Sequence, residues 1–150
     1  MKRVYLKVKA NENKVLDKGT FPDTMWRVNL VANNPNPIVV SPGSVEPIPL
    51  GIAIKMERAT EVKLLLNSDL VNSKGITALN SSFVCTNRNE YSSELIALLF
   101  NVGISGNCTI KKGDVLGVLA FGSGDESKID LLIEDDNDKI TFWGAYSNLN

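Results

Sequence analysis

Ser92-Ser93-Glu94-Leu95-Ile96-Ala97-Leu98-Leu99-Phe100 is the stretch whose reading decides the fold. Taken locally it slightly favours a capped helix: serine and glutamate stand where a helix N-terminus wants them, and Leu95, Leu98 and Leu99 share one helical face. Its apolar run, Leu95 to Phe100, is the longest in the chain. That is far short of the roughly 20 residues a spanning helix requires, so no integral membrane protein is expected.

The surroundings read as β-structure. In Ile48-Pro49-Leu50-Gly51-Ile52-Ala53-Ile54-Lys55-Met56 large apolar residues fall on every second position, the pattern of one half-buried strand. Short strand-like runs recur at Val4–Val8, Trp26–Val31, Glu61–Leu66, Phe83–Thr86, Val115–Phe121, Ile129–Ile133 and Ile140–Trp143. Between them lie turn-rich stretches such as Asn33-Asn34-Pro35-Asn36-Pro37, Ser41-Pro42-Gly43-Ser44 and Gly122-Ser123-Gly124-Asp125. Many short strands separated by turn signals predict an all-β sandwich or barrel. No repeat, heptad or composition break divides residues 1–150, so a single domain is expected.

Composition narrows the function. Sixteen Lys and Arg balance seventeen Asp and Glu, and no basic block interleaves with aromatics, so nucleic-acid binding is not favoured. Met1-Lys2-Arg3-Val4-Tyr5-Leu6-Lys7 is charged but leads into no apolar stretch, which argues against a signal peptide and for a cytoplasmic or virion location. Cys85 and Cys108 are too few for a disulfide framework and read as small buried apolar residues. The sequons at Asn80 and Asn107 carry no weight outside a secretory context. The complete absence of histidine removes Ser-His and Cys-His nucleophile pairs and leaves the two cysteines without partners for an ordinary zinc site. No metal or cofactor is expected to belong to the chain.

The deciding stretch, extended to Asn101-Val102-Gly103 and followed by Ile110-Lys111-Lys112-Gly113-Asp114, resembles the dUTPase and dCTP-deaminase superfamily. In dUTPases a Tyr-x-Gly-Glu turn leads into a central strand ending in Asn, and a hairpin then delivers Lys-Gly-Asp. Tyr91-Ser92-Ser93-Glu94 supplies the turn with its glycine replaced. Upstream, Ser68, Leu70, Gly75 and Ile76 match the family's Arg-Ser-Gly-Leu-Ala segment and its continuation, Val28-Asn29-Leu30 sits at its Tyr-Asp-Leu, and Pro49-Leu50-Gly51-Ile52 resembles its Thr-Gly-Ile. The resemblance spans about residues 20–121. It implies strand rather than helix at 95–100, a dUTPase-like β-clip or distorted jelly-roll barrel, and a homotrimer with pockets between subunits.

Such an enzyme needs a carboxylate to orient and deprotonate water, cationic and hydrogen-bonding groups on the triphosphate, and Mg²⁺ carried with it. The family's base stands three positions before the tyrosine, where this chain has Arg88, and no Asp or Glu occurs from Lys74 to Asn89. Glu90 matches the family's second acidic position. The arginine before Ser68 is replaced by Asn67, the glycine after it by Asp69, and a phosphate-binding glutamine by Val118. Phe142–Asn148 only faintly echoes the glycine-rich C-terminal arm.

These departures predict no catalytic residues and a non-catalytic trimer serving as a structural or interaction module, such as a decoration component of a viral or phage particle. Two alternatives remain open. One is a protein that sequesters or senses a nucleotide through Ser68, Arg88 and Tyr91; the other is a divergent nucleotide hydrolase using Glu90 or Glu94. Asp135-Asp136-Asn137-Asp138 lacks the spacing of a Ca²⁺ loop and reads as a solvated turn. Trp26, Trp143, Phe142 and Tyr146 read as core or interface anchors.

Overall fold

The computed structural model describes residues 2–9, 16–17, 26–56, 60–85, 90–121 and 129–136. Thirteen strands and one short helical turn account for nearly all of their regular structure. Strands β1 (Lys2–Lys9), β6 (Ile52–Met56) and β13 (Ile129–Asp136) form a sheet with β1 in the middle, antiparallel to β6 and parallel to β13. The largest sheet runs β2 (Leu16–Asp17), β3 (Trp26–Val31), β12 (Val115–Phe121), β7 (Thr60–Leu66), β9 (Ser82–Cys85). In a third, β10 (Ile96–Asn101) lies between β5 (Val45–Pro49) and β8 (Ile76–Ala78), and β4 (Ile38–Val40) pairs with β11 (Cys108–Ile110) as a two-stranded ribbon. The inward faces of these sheets share one core, in which Leu6, Leu30, Ile48, Ile54, Leu99 and Phe121 are fully buried.

The deciding stretch is strand. Along β10, Ala97, Leu99 and Asn101 are buried while Ile96, Leu98 and Phe100 are less so, a period of two. The residues that resembled a helix cap are engaged elsewhere. Ser92 and Ile54 are joined by Ser92 N–H to Ile54 O (2.8 Å) and by Ile54 N–H to Ser92 Oγ (3.0 Å), and Glu94 accepts from Gly51 N–H (2.7 Å). With strands on both edges of β10, tertiary pairing overrides the local helical pattern.

The stretch Ile48–Met56 departs from the single strand its alternation predicts. It breaks into β5 and β6, which belong to different sheets, and β6 is buried almost throughout. Gly51 makes the corner with φ of +66°, a conformation that a side chain disfavours. The carboxylate of Glu94 then satisfies the amide exposed by the turn.

Other sequence-predicted runs are placed closely: Trp26–Val31 and Val115–Phe121 coincide with β3 and β12. Asp135 and Asp136 continue β13 rather than forming the expected turn, while Ile140–Trp143 and the arm-like Phe142–Asn148 lie outside the described residues.

Candidate functional site

Two clefts flank the elements that carry the family-like residues. The larger, about 350 Å³, is lined by Asn80, Phe83, Ser92, Ser93, Glu94, Leu95 and Ile96, where the turn after β8 faces the entry to β10. Asn80 bridges this gap as a strand residue would, donating from Nδ2 to Ile96 O (2.6 Å) and accepting Leu98 N–H at Oδ1 (2.9 Å). The walls are apolar at Phe83, Leu95 and Ile96, with a few polar groups among them. That is the composition of a small-molecule site, and the volume falls at the lower end of the usual range of about 300–1,000 Å³. Glu94 is 4% exposed, and its Oε2 accepts from both Gly51 N–H and Asn33 Nδ2 (3.0 Å). It is a structural carboxylate at the base of the cleft.

The smaller cleft, about 210 Å³, lies beside a π-helical turn, Asp69–Ser73, and includes Asn67, Asp69, Lys74, Cys108 and Asp114 in its lining. Ser68 stands exposed at the head of that turn, and its side chain makes no cap bond. Asn67, expected to replace the family's arginine, anchors the turn to β12, donating its amide N–H to Leu116 O (2.8 Å) and its Nδ2 to Val115 O (2.9 Å). Val118 is half-buried in β12, opposite Asn29 on β3 and Leu65 on β7.

Of the three expected site residues, Ser68 falls between Asn67 and Asp69 of the smaller cleft and Tyr91 immediately precedes Ser92 of the larger one, and neither is itself a lining residue. Tyr91 is half-buried one residue before Ser92 and packs against the ammonium groups of Lys7 and Lys55. Arg88 lies outside the described residues. Glu90 is exposed next to Tyr91.

Sequence reasoning missed Asn80, dismissed as a sequon, although it closes the Gly75-Ile76 segment that was recognised. Both cysteines are buried free thiols, as expected. Burial pushes the Cys85 thiol above its ordinary range. It does the same at Cys108, where Lys74 opposes the shift and Asp114 and Asp69 add to it. Among the described residues no group of three or more His, Cys, Asp or Glu side chains is arranged to hold a metal, and no helix is long and apolar enough to cross a membrane.

No protein-family model matches the chain. It is, however, 31% identical over 112 residues to the deoxyuridine 5'-triphosphate nucleotidohydrolase of Rickettsia akari (strain Hartford), covering 72% of each chain. The chain belongs to the dUTPase family. A second dUTPase, from Rickettsia prowazekii (strain Madrid E), is 33% identical over 104 residues, with 67% of each chain covered. The fold agrees with solved dUTPase structures: a mutant dUTPase of Staphylococcus bacteriophage 80alpha (TM-score 0.57, 10% identity, 91% of this chain and 97% of that one) and a mutant dUTPase from phage phi11 of S. aureus (TM-score 0.55, 12% identity, 79% and 88%).

These relatives overturn the expectation of a non-catalytic structural trimer. Enzymes named for dUTP hydrolysis share about a third of their residues with most of this chain. The contrary reading rested on Arg88 at the base position with no acid from Lys74 to Asn89, and on Asn67, Asp69 and Val118 in place of the family's arginine, glycine and glutamine; kinship with enzymes across most of the chain outweighs those single replacements.

Proposed function

We propose that the chain is a dUTP nucleotidohydrolase. Water attacks the α-phosphorus of Mg²⁺-bound dUTP, the bond to the β-phosphate oxygen breaks, and dUMP and pyrophosphate leave. The observation that carries this reading is the 31% identity to a dUTP nucleotidohydrolase across 72% of both chains.

The geometry supports it in two ways. The cleft of about 350 Å³ between Asn80 and Ile96 has the mixed apolar and polar walls suited to a nucleoside, and Tyr91 immediately precedes its lining residue Ser92. Ser68 and Tyr91 adjoin the linings of separate clefts of one chain, as fits a homotrimer whose sites are assembled between subunits, with Ser68 of one subunit reaching the phosphates of a nucleotide held beside Tyr91 of another.

Glu90 is the carboxylate assigned to orient and deprotonate the water. It is exposed and adjoins Tyr91, whereas Glu94 is committed to Gly51 and Asn33.

The test is pyrophosphate release from each deoxynucleoside triphosphate with Mg²⁺, followed by the same assay on Glu90→Gln. Release from dUTP in preference to the other substrates is expected, with kcat reduced at least about 100-fold in the variant, the usual scale for losing a general base. No release from dUTP above a protein-free blank would refute the activity. Full activity in Glu90→Gln would refute the assigned base alone.

A further inference from the structure

Tyr91 is the meeting point of two side chains, on different strands, that the family resemblance did not single out. Lys7 Nζ lies 4.6 Å from the centroid of the Tyr91 ring and Lys55 Nζ lies 4.9 Å from it. Lys55 Nζ is also 4.6 Å from the centroid of Tyr5. The backbone explains the cluster. Tyr5 and Lys7 are two apart on β1 and share a face, Tyr5 pairs with Lys55 across the β1–β6 ladder, and Lys7 pairs with Ala53, whose small side chain leaves space beside it. The two hydrogen bonds between Ser92 and Ile54 lay residues 91–92 along β6, so the Tyr91 ring comes down on that face.

An ammonium within about 6 Å of an aromatic centroid is attracted to the ring quadrupole. Two such groups restrict the ring from two different strands. Tyr91 is not itself a lining residue of the larger cleft but immediately precedes Ser92, which is. Its orientation therefore bears on whatever binds there.

We propose that Lys7 and Lys55 are positioning residues for nucleotide binding: their ammonium groups hold the Tyr91 ring in the orientation that receives the nucleoside. Through Lys7, strand β1 becomes part of the binding apparatus although it does not line the cleft. This inference rests on the nucleotidohydrolase reading for its ligand. A ring that contacts the bound nucleoside equally in the ground and transition states acts on binding alone, so disturbing it raises KM and leaves kcat in place. Each cation–ring contact is worth roughly two- to fivefold in an equilibrium. Losing both should cost about tenfold.

The test compares wild type, Lys7→Leu, Lys55→Leu, the double leucine variant and the double arginine variant. Leucine keeps apolar bulk without charge, and arginine keeps a cation over the ring. Steady-state dUTP kinetics should show KM raised about tenfold in the double leucine variant with kcat within twofold, each single variant intermediate, and the arginine pair close to wild type. Unchanged KM in the double leucine variant, a fall confined to kcat, or arginine variants behaving like leucine ones would overturn the proposal. The single variants carry the test if the double one does not fold.

A second readout is independent of turnover. In protein labelled with 3-fluorotyrosine, the chain's three tyrosines give three fluorine resonances, assigned by substituting each in turn. The Tyr91 resonance should move in Lys7→Leu, which leaves the Lys55 to Tyr5 contact in place, and return in Lys7→Arg. If wild type releases no pyrophosphate, the activity is wrong and the fluorine spectrum alone judges the positioning. An unmoved Tyr91 resonance overturns the positioning even in an active enzyme.

Discussion

Gly117 makes the sharpest prediction about what the chain tolerates. A Cβ built there would lie 2.0 Å from Leu65 O and 2.8 Å from Leu66 Cα, both backbone atoms of β7, the strand paired with β12 at this point. Ordinary carbon contacts begin near about 3.5 Å, so β7 would have to retreat by well over 1 Å. No side-chain rotation can absorb that. Gly117→Ala should therefore break one or two ladder hydrogen bonds, each worth about 1 kcal/mol net, and add overpacking of about 1–3 kcal/mol, for a total near 3 kcal/mol. Gly113 supplies the control. Its φ is +88° but nothing lies within 4 Å of its Cβ position, so Gly113→Ala should cost only the backbone strain, about 1 kcal/mol. Calorimetric melting at matched subunit concentration should place Gly117→Ala about 6–12 °C below wild type and Gly113→Ala about 2–4 °C below it. Equal shifts in the two variants would refute the steric argument.

Three further outcomes are expected. Asn101 is fully buried, donates from Nδ2 to Val40 O (2.9 Å) and Gly106 O (2.8 Å), and accepts Gly103 N–H (2.8 Å); Asn101→Ala should lose about 3 kcal/mol in urea unfolding, and a loss under 1 kcal/mol would show that water replaces the side chain. Glu94→Ala should cost about 2–3 kcal/mol by stranding the Gly51 amide, and Glu94→Gln less, because the amide oxygen can still accept from Gly51 and Asn33; equal losses in urea unfolding would count against this hydrogen-bond account. The thiols of Cys85 and Cys108 have folded-state pKa values raised by burial, so their contribution to stability is whole below the unfolded value of about 8.5 and declines as pH rises past it. Urea midpoints measured from pH 7 to 10 should fall more steeply in wild type than in the double alanine variant; parallel curves would remove the thiols from the account.

Strand positions were legible wherever alternation and turn residues agreed, as at Trp26–Val31 and Val115–Phe121. Two readings depended on partners far along the chain. The helical look of residues 92–100 dissolves because Ser92 and Glu94 bond to Ile54 and Gly51, and the apparent single strand 48–56 is broken by the same pair of contacts. The candidate site was legible in part. Tyr91 and Ser68 were expected from the family's motifs, whereas Lys7 and Lys55 are not among the motif residues and meet Tyr91 only through the β1–β6 register. The loss-of-function reading failed because single replaced residues were weighed above identity across most of the chain.

The parallel pairing of β1 with β13 has a consequence during synthesis. Lys2 pairs with Ile129 and Lys9 with Asp136, so one edge of β1 is closed by a strand made long after it. At common translation rates of about 5–20 residues per second, that edge waits on the order of 10 s, long after β6 can have closed the other side. For that interval the nascent chain presents unpaired amides and carbonyls to its surroundings, an aggregation hazard that ends when β13 docks. Slow translation through the second half of the message would lengthen the exposure. Yield in cells is therefore expected to respond to the speed at which residues 60–136 are made.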